Sequence, residues 1–235
     1  MDDPFPEGMI EDIELFFQGE DSRPPGEDLY DDVFLTNHFF PLQRQRELSL
    51  MISEARQCSP KVVYEIGADK GGGLYHWCKS LLTVSRVIAC EIRGTPYRYL
   101  FEKAFPHIDF LWIEGSSYSQ ESLTQISEWL KGESIDVTFI DGDKANFELD
   151  FDKISPMMSH PSVVFMHDVT DPSPGAAFNR VIEKTQFQNR QIVNRIDTSL
   201  SLEREKLKVP STSPHENWLR HWKGQSCGVG VIHLP

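Results

Sequence analysis

The stretch that most constrains this chain is Val62-Val63-Tyr64-Glu65-Ile66-Gly67-Ala68-Asp69-Lys70-Gly71-Gly72-Gly73. A short apolar run carries an acid, enters a glycine-spaced turn and leads into a segment, Leu74 to Leu82, with helical character. That order predicts strand, tight turn and helix, with a backbone-lined pocket at the carboxyl end of a parallel strand. Gly67 can take a left-handed turn, and Gly71 to Gly73 let a ligand approach the main chain. The spacing is not G-x-G-x-x-G and no Gly-Lys-Ser/Thr follows, so neither a dinucleotide fingerprint nor a phosphate-binding kinase loop is matched. A strand-turn-helix that binds nothing is the competing reading.

The same strand-helix alternation recurs along the chain. Strands are predicted at Val62 to Ile66, Val87 to Glu91, Asp109 to Ile113, Ile135 to Ile140 and Val163 to His167, with two closing strands at Gln191 to Ile196 and Gly228 to Leu234. Helices are predicted at Gln43 to Gln57, Leu74 to Leu82, Pro96 to Phe105, Gln120 to Leu130, Phe147 to Met158 and Ala176 to Lys184. Repeated β-α units of this length imply an α/β fold: a Rossmann-like, seven-stranded, mostly parallel sheet with helices on both faces. Residues 43–235 form that domain, and residues 1–42 precede it as an acidic arm. Residues 197–227 are too long for a hairpin and read as a lid-like insertion or as a surface excursion.

Charge divides the chain the same way. Residues 1–36 hold twelve acids and one base, Arg23, so this arm supplies −11 of the net −13. It reads as a solvated leader, yet Met9, Ile13, Phe16 and Phe17 fall at helical spacing and could pack on the domain, a protein partner or a second copy. Cys58, Cys78, Cys90 and Cys227 share no C-x-x-C spacing, so reduced thiols in a cytoplasmic protein are expected rather than a structural zinc. No apolar run approaches the length of a membrane span, and the amino terminus has no signal-peptide pattern.

Three further strand ends carry candidate chemistry. Glu91 ends the second strand, where an acid can accept hydrogen bonds from both ribose hydroxyls of a nucleoside. The third strand ends in Glu114-Gly115-Ser116-Ser117, suited to a nucleobase. The fourth ends in Asp141-Gly142-Asp143-Lys144-Ala145-Asn146-Phe147 and the fifth in His167-Asp168-Val169. Adjacent parallel strands would bring Asp141 and Asp168 together, and two carboxylates there repel unless a cation or proton lies between them. Hard oxygen ligands suit Mg²⁺, or Ca²⁺ and Mn²⁺. Otherwise Asp141 only orients a cofactor and Asp168 caps the following turn.

The acid before the glycine turn resembles the first motif of class I S-adenosylmethionine-dependent methyltransferases. Asp141-x-Asp143-Lys144-x-Asn146-Phe147 resembles the motif of the cation-dependent catechol and caffeoyl-coenzyme A O-methyltransferases. Glu65-Ile66-Gly67, Gly71-Gly72, Asp141-Gly142-Asp143 and His167-Asp168 together resemble bacterial sugar, macrolide and cephalosporin-biosynthesis O-methyltransferases. The resemblance implies S-adenosylmethionine held by Glu65, Gly67, Asp69, Gly71, Gly72, Glu91, Ser116, Ser117 and Asp141. It also implies a divalent cation on Asp141 and Asp168, and Lys144 or Asp143 as the base for a small-molecule hydroxyl. The chain departs from those families at two positions: Val169 stands where catechol-type enzymes have asparagine, and His167 where many sugar-type enzymes have an acid, making His167 the candidate third ligand.

An ordinary lysine is neutral in only about one part in 2,500 at pH 7, so a nearby cation and a lysine base are more credible together than apart. A nucleic-acid methyltransferase is the rival enzyme. The chain lacks a Pro-Cys nucleophile and an Asn/Asp-Pro-Pro-aromatic motif, although residues 180–223 hold nine Lys/Arg against five acids, with Trp218 and Trp222. A non-catalytic binding or assembly protein on the same scaffold is the other alternative.

Overall fold

The computed structural model describes residues 43, 45–95, 97–187, 192–196 and 228–234. The acidic arm, the insertion at 197–227 and Cys227 therefore lie outside the described residues.

Helix α1 (Gln45–Arg56) is followed by β1 (Val62–Ile66), α2 (Gly72–Ser80), β2 (Arg86–Glu91), α3 (Arg98–Ala104) and β3 (Asp109–Glu114). Then come α4 (Gln120–Leu130), β4 (Ile135–Ile140), α5 (Phe147–Ile154), β5 (Met158–His167), α6 (Pro172–Phe187), β6 (Ile192–Ile196) and β7 (Val229–Leu234). The sheet runs in the order β3-β2-β1-β4-β5-β7-β6. The first five in that order are mutually parallel, and β7 pairs antiparallel with both β5 and β6. Six strands, β1 to β5 and β7, carry described side chains; β6 joins the edge as backbone. The architecture is a mostly parallel, Rossmann-like sheet.

Strand β1 is the middle one of the five parallel strands, and all five of its residues are buried, as a strand covered on both faces requires. Alternation splits the core in two. Val62, Tyr64 and Ile66 face α4, α5 and α6, whereas Val63, Val137, Phe139, Val163 and Phe165 face α1, α2 and α3. Trp77 of α2 anchors the second layer, its ring 5.9 Å from Phe165 and 6.1 Å from Phe139. Continuing the same alternation puts Glu65, Asp141 and His167 on the α1 side, at the carboxyl ends of three adjacent strands.

Four of the differences from expectation have a clear local reason. Helix α2 begins at Gly72, two residues before the first periodic apolar position, because glycines form its first turn and contribute no pattern. Strand β5 begins at Met158, not Val163: Met158 pairs with Ile135 across a register irregularity, and Pro161, which cannot donate to a ladder, hides that extension. The helix expected to reach Met158 ends at Ile154 and passes into a 3₁₀ turn at Ser155–Met157 containing Pro156. Helix α6 begins at Pro172, where proline's fixed φ suits a first turn, and Asp171 O accepts from Gly175 N at 2.8 Å. No helix among the described residues is long and apolar enough to cross a membrane.

Candidate active site

A cavity of about 650 Å³ opens at the carboxyl edge of the sheet, lined along β1, β2 and β3 by the glycine turn, Glu91, Ser116 and Ser117, and along β4 and β5 by Asp141, Lys144, His167 and Asp168.

On the β1–β3 side the main chain makes the surface. Gly67 has φ +84°, and a Cβ there would lie 2.6 Å from Asp141 O, so only glycine lets the β1 and β4 turns pack together. Gly71 has φ +91° and presses against the Phe101 ring, where a Cβ would lie 2.6 Å from Cζ. Gly72 lines the cavity, while Gly73 packs so tightly on Glu65 that an added Cβ would sit 2.5 Å from Oε1. Glu91 accepts from Asp69 N at 3.1 Å and from Arg93 N at 3.3 Å, which fixes its carboxylate at the rim. Each carboxylate oxygen retains capacity for another donor. Ser117 Oγ donates to the buried carboxylate of Asp150 on α5. Ser116 Oγ and Glu65 Oε2 are buried at the cavity wall and find no partner among the described residues. Burial, then the proximity of Asp141, pushes the Glu65 carboxyl well above its usual range.

On the β4–β5 side buried charges make the surface. Lys144 Nζ contacts Asp141 Oδ1 and lies 2.7 Å from Asp168 Oδ2, so the ammonium bridges the two carboxylates. His167 Nδ1 lies 3.1 Å from Asp141 Oδ1 and 3.3 Å from Asp168 Oδ1. Burial opposes every one of these charges. Even so, His167 and Lys144 hold Asp141 below the usual carboxylate range and Asp168 far below it. Burial likewise opposes protonation of Lys144 and His167, but Asp141 and Asp168 raise Lys144, and Asp141 with the bonds to Asp168 and Glu47 raises His167 well above normal. Among the described residues, Asp141, His167 and Asp168 place ligand atoms within 4.8 Å of one another, a set able to hold a cation.

The structure brings Asp141, Lys144, His167 and Asp168 together, and Asp143 lines the same cavity outside that cluster. Its carboxylate accepts from Ala145 N at 3.1 Å and from Asn146 Nδ2 at 2.7 Å, at the entry to α5. Two polar residues of the site escape a reading of strand ends. Gln43 Nε2 donates to Asp141 Oδ2 at 2.7 Å. Glu47, fully buried on α1, reaches His167 Nε2 with Oε2 at 3.4 Å and accepts from Gly228 N with Oε1 at 3.2 Å. A sequence signal exists: Gln43 and Glu47 stand two steps of four and one step of four ahead of Met51, on the row that Met51 and Ala55 continue into the core. An acid in line with an apolar row needs a buried partner.

No family profile matches the chain, and no curated protein matches it. Solved structures do. An O-methyltransferase from Bacillus cereus in complex with S-adenosylhomocysteine aligns over 95% of this chain and 97% of its own, at 17% identity and a TM-score of 0.61. The chain shares the fold of class I O-methyltransferases. The O-methyltransferase TomG of tomaymycin synthesis from Streptomyces achromogenes, in complex with S-adenosylmethionine, aligns over 94% of this chain and 95% of its own, at 14% identity and a TM-score of 0.60. The Podospora anserina methyltransferase PaMTH1, bound to S-adenosylhomocysteine, aligns over 99% and 97%, at 18% identity and a TM-score of 0.57. At these identities the likeness is one of fold.

Proposed function

We propose that this chain is an S-adenosylmethionine-dependent methyltransferase acting on a hydroxyl of a small molecule, with Lys144 as the base and a divalent cation on Asp141, Asp168 and His167. The observation that carries the reading is the joining of two different surfaces in one cavity: a glycine-lined turn with a rim carboxylate, and a buried cluster of carboxylates around one lysine.

The residues fit the cofactor. Glu91 is held by two backbone N–H groups and can take ribose hydroxyls, while Ser116 Oγ offers a buried, unsatisfied polar atom. Gly67, Asp69, Gly72, Ser117 and Asp141 complete that wall, and Gly71 shapes the turn from behind, against Phe101. S-adenosylmethionine supplies a methyl group on a sulfonium, so the protein need only align an acceptor oxygen and remove its proton.

The donor set also fits a cation, with two carboxylate oxygens and one imidazole nitrogen already converging. A bound cation would acidify an acceptor hydroxyl and weaken the carboxylates' hold on the Lys144 proton. Lys144 is favoured over Asp143 as the base because its Nζ faces the cluster, whereas Asp143 is committed to Asn146 and Ala145.

The test is transfer of a labelled methyl from S-adenosylmethionine to a panel of sugar and phenol hydroxyls, with and without chelator. An O-methyl product that disappears on chelation supports the reading. Turnover indifferent to chelator would remove the cation, and tight cofactor binding without turnover on any acceptor would favour a non-catalytic scaffold.

A further inference from the structure

His167 is buried (3% exposed), and both its ring nitrogens face carboxylates. Nδ1 looks toward Asp141 and Asp168, whereas Nε2 looks away from the cavity toward Glu47, 120 residues earlier in the chain. The ring is further fixed edge-on against Phe139, with centroids 5.9 Å apart. Glu47 is itself oriented, because its other oxygen accepts from the backbone N–H of Gly228. A carboxylate accepts only, so Glu47 keeps the proton on Nε2, and a cation between Asp141 and Asp168 would replace the proton on Nδ1 and take that lone pair.

We propose that Glu47 is a positioning residue that makes His167 a nitrogen ligand, so that the site takes an imidazole-binding divalent transition metal in preference to Mg²⁺. The inference rests on the cation reading above and deepens it. Imidazole suits ions such as Co²⁺ and Zn²⁺, whereas Mg²⁺ favours carboxylate, carbonyl and water oxygen. A carboxylate behind a ligating histidine fixes the ring and its tautomer, and its loss typically costs about 10- to 100-fold in metal affinity.

Glu47→Gln isolates this role. Gly228 N–H requires an acceptor, so the amide oxygen stays on Gly228 and the amide NH₂ is turned to His167 Nε2. A donor there forces the proton onto Nδ1, which can then no longer ligate, while shape and the Gly228 bond are kept. Oxygen sites also bind Co²⁺ more tightly than Mg²⁺, so the change in the ratio of the two affinities is the quantity to read.

Calorimetric titration of the full chain with CoCl₂ and with MgCl₂ should show the Co²⁺/Mg²⁺ affinity ratio falling at least about tenfold in Glu47→Gln, with melting temperature and S-adenosylhomocysteine affinity retained. Imidazole ¹⁵N spectra of the Zn²⁺-loaded wild type should place the His167 proton on Nε2. His167→Glu, which gives an all-oxygen set and needs no tautomer, should also lower the ratio while keeping Mg²⁺ binding; it serves as the test where Glu47→Gln does not fold. A ratio unchanged in these variants, with Mg²⁺ binding still lost in Asp168→Ala, would overturn the nitrogen ligand and leave the cation reading standing. No cation binding to the wild type would overturn both.

Discussion

The two halves of the cavity are built on opposite principles. Along β1, β2 and β3 the surface is main chain held open by glycine, and a rim acid, Glu91, is occupied by neighbouring backbone N–H groups. Along β4 and β5 it is side chain: Asp141, Lys144, His167 and Asp168 hold one another charged against burial, with Glu47 brought in from α1 and Gln43 from just ahead of it. The first half is preorganised by local geometry, which suits the proposed nucleoside cofactor. The second is preorganised by electrostatics, which suits the proposed proton transfer.

If this division holds, the halves should fail differently. The largest effect is expected where they touch. In Gly67→Ala the new Cβ would strike the Asp141 carbonyl at a backbone conformation alanine disfavours, so stability should fall by about 3 kcal/mol or more, read by denaturant unfolding. A loss under about 1 kcal/mol would mean that the two turns are not locked together.

Next comes Lys144→Ala, which should lower turnover by about 100-fold or more, as loss of a general base does, and leave S-adenosylhomocysteine affinity nearly unchanged. Comparable losses in both would place Lys144 in the cofactor half.

The smallest effect sharpens the boundary at Asp150, under the glycine-lined half. Burial pushes its carboxyl up to about 6, opposed by the bond from Ser117 and aided by Asp143. An unfolded aspartate titrates near ~3.9, so the folded state binds this proton more tightly and stability should fall as pH rises from about 4 to about 6, then level off. Asp150→Asn should remove that slope, worth at most about 3 kcal/mol, in unfolding curves measured across pH. An unchanged slope would assign it to other groups.

The same contrast explains what was legible in sequence. Gly67, Gly71 and Glu91 belong to one local pattern, in which strand, turn and helix are adjacent and each glycine answers a nearby steric demand. Asp141 and Asp168 were legible as a pair because parallel neighbours align their carboxyl ends. Lys144 was legible as chemistry, but its bridging of both carboxylates depends on the register between β4 and β5. Glu47 and Gln43 were not found, because helical periodicity marks a buried row without saying which strand end it covers. Helix starts at Gly72 and Pro172 were missed because apolar spacing is silent where the first turn is glycine or proline.

The central claim is that this cavity is a nucleoside-cofactor site completed by a proton-transfer cluster. The most direct test is calorimetric titration of the full chain with S-adenosylhomocysteine, comparing wild type with Glu91→Ala. The account predicts micromolar binding that weakens about tenfold or more in the variant, the cost of removing a charged hydrogen-bond acceptor. Absence of binding to the wild type, or equal binding by both, would contradict it.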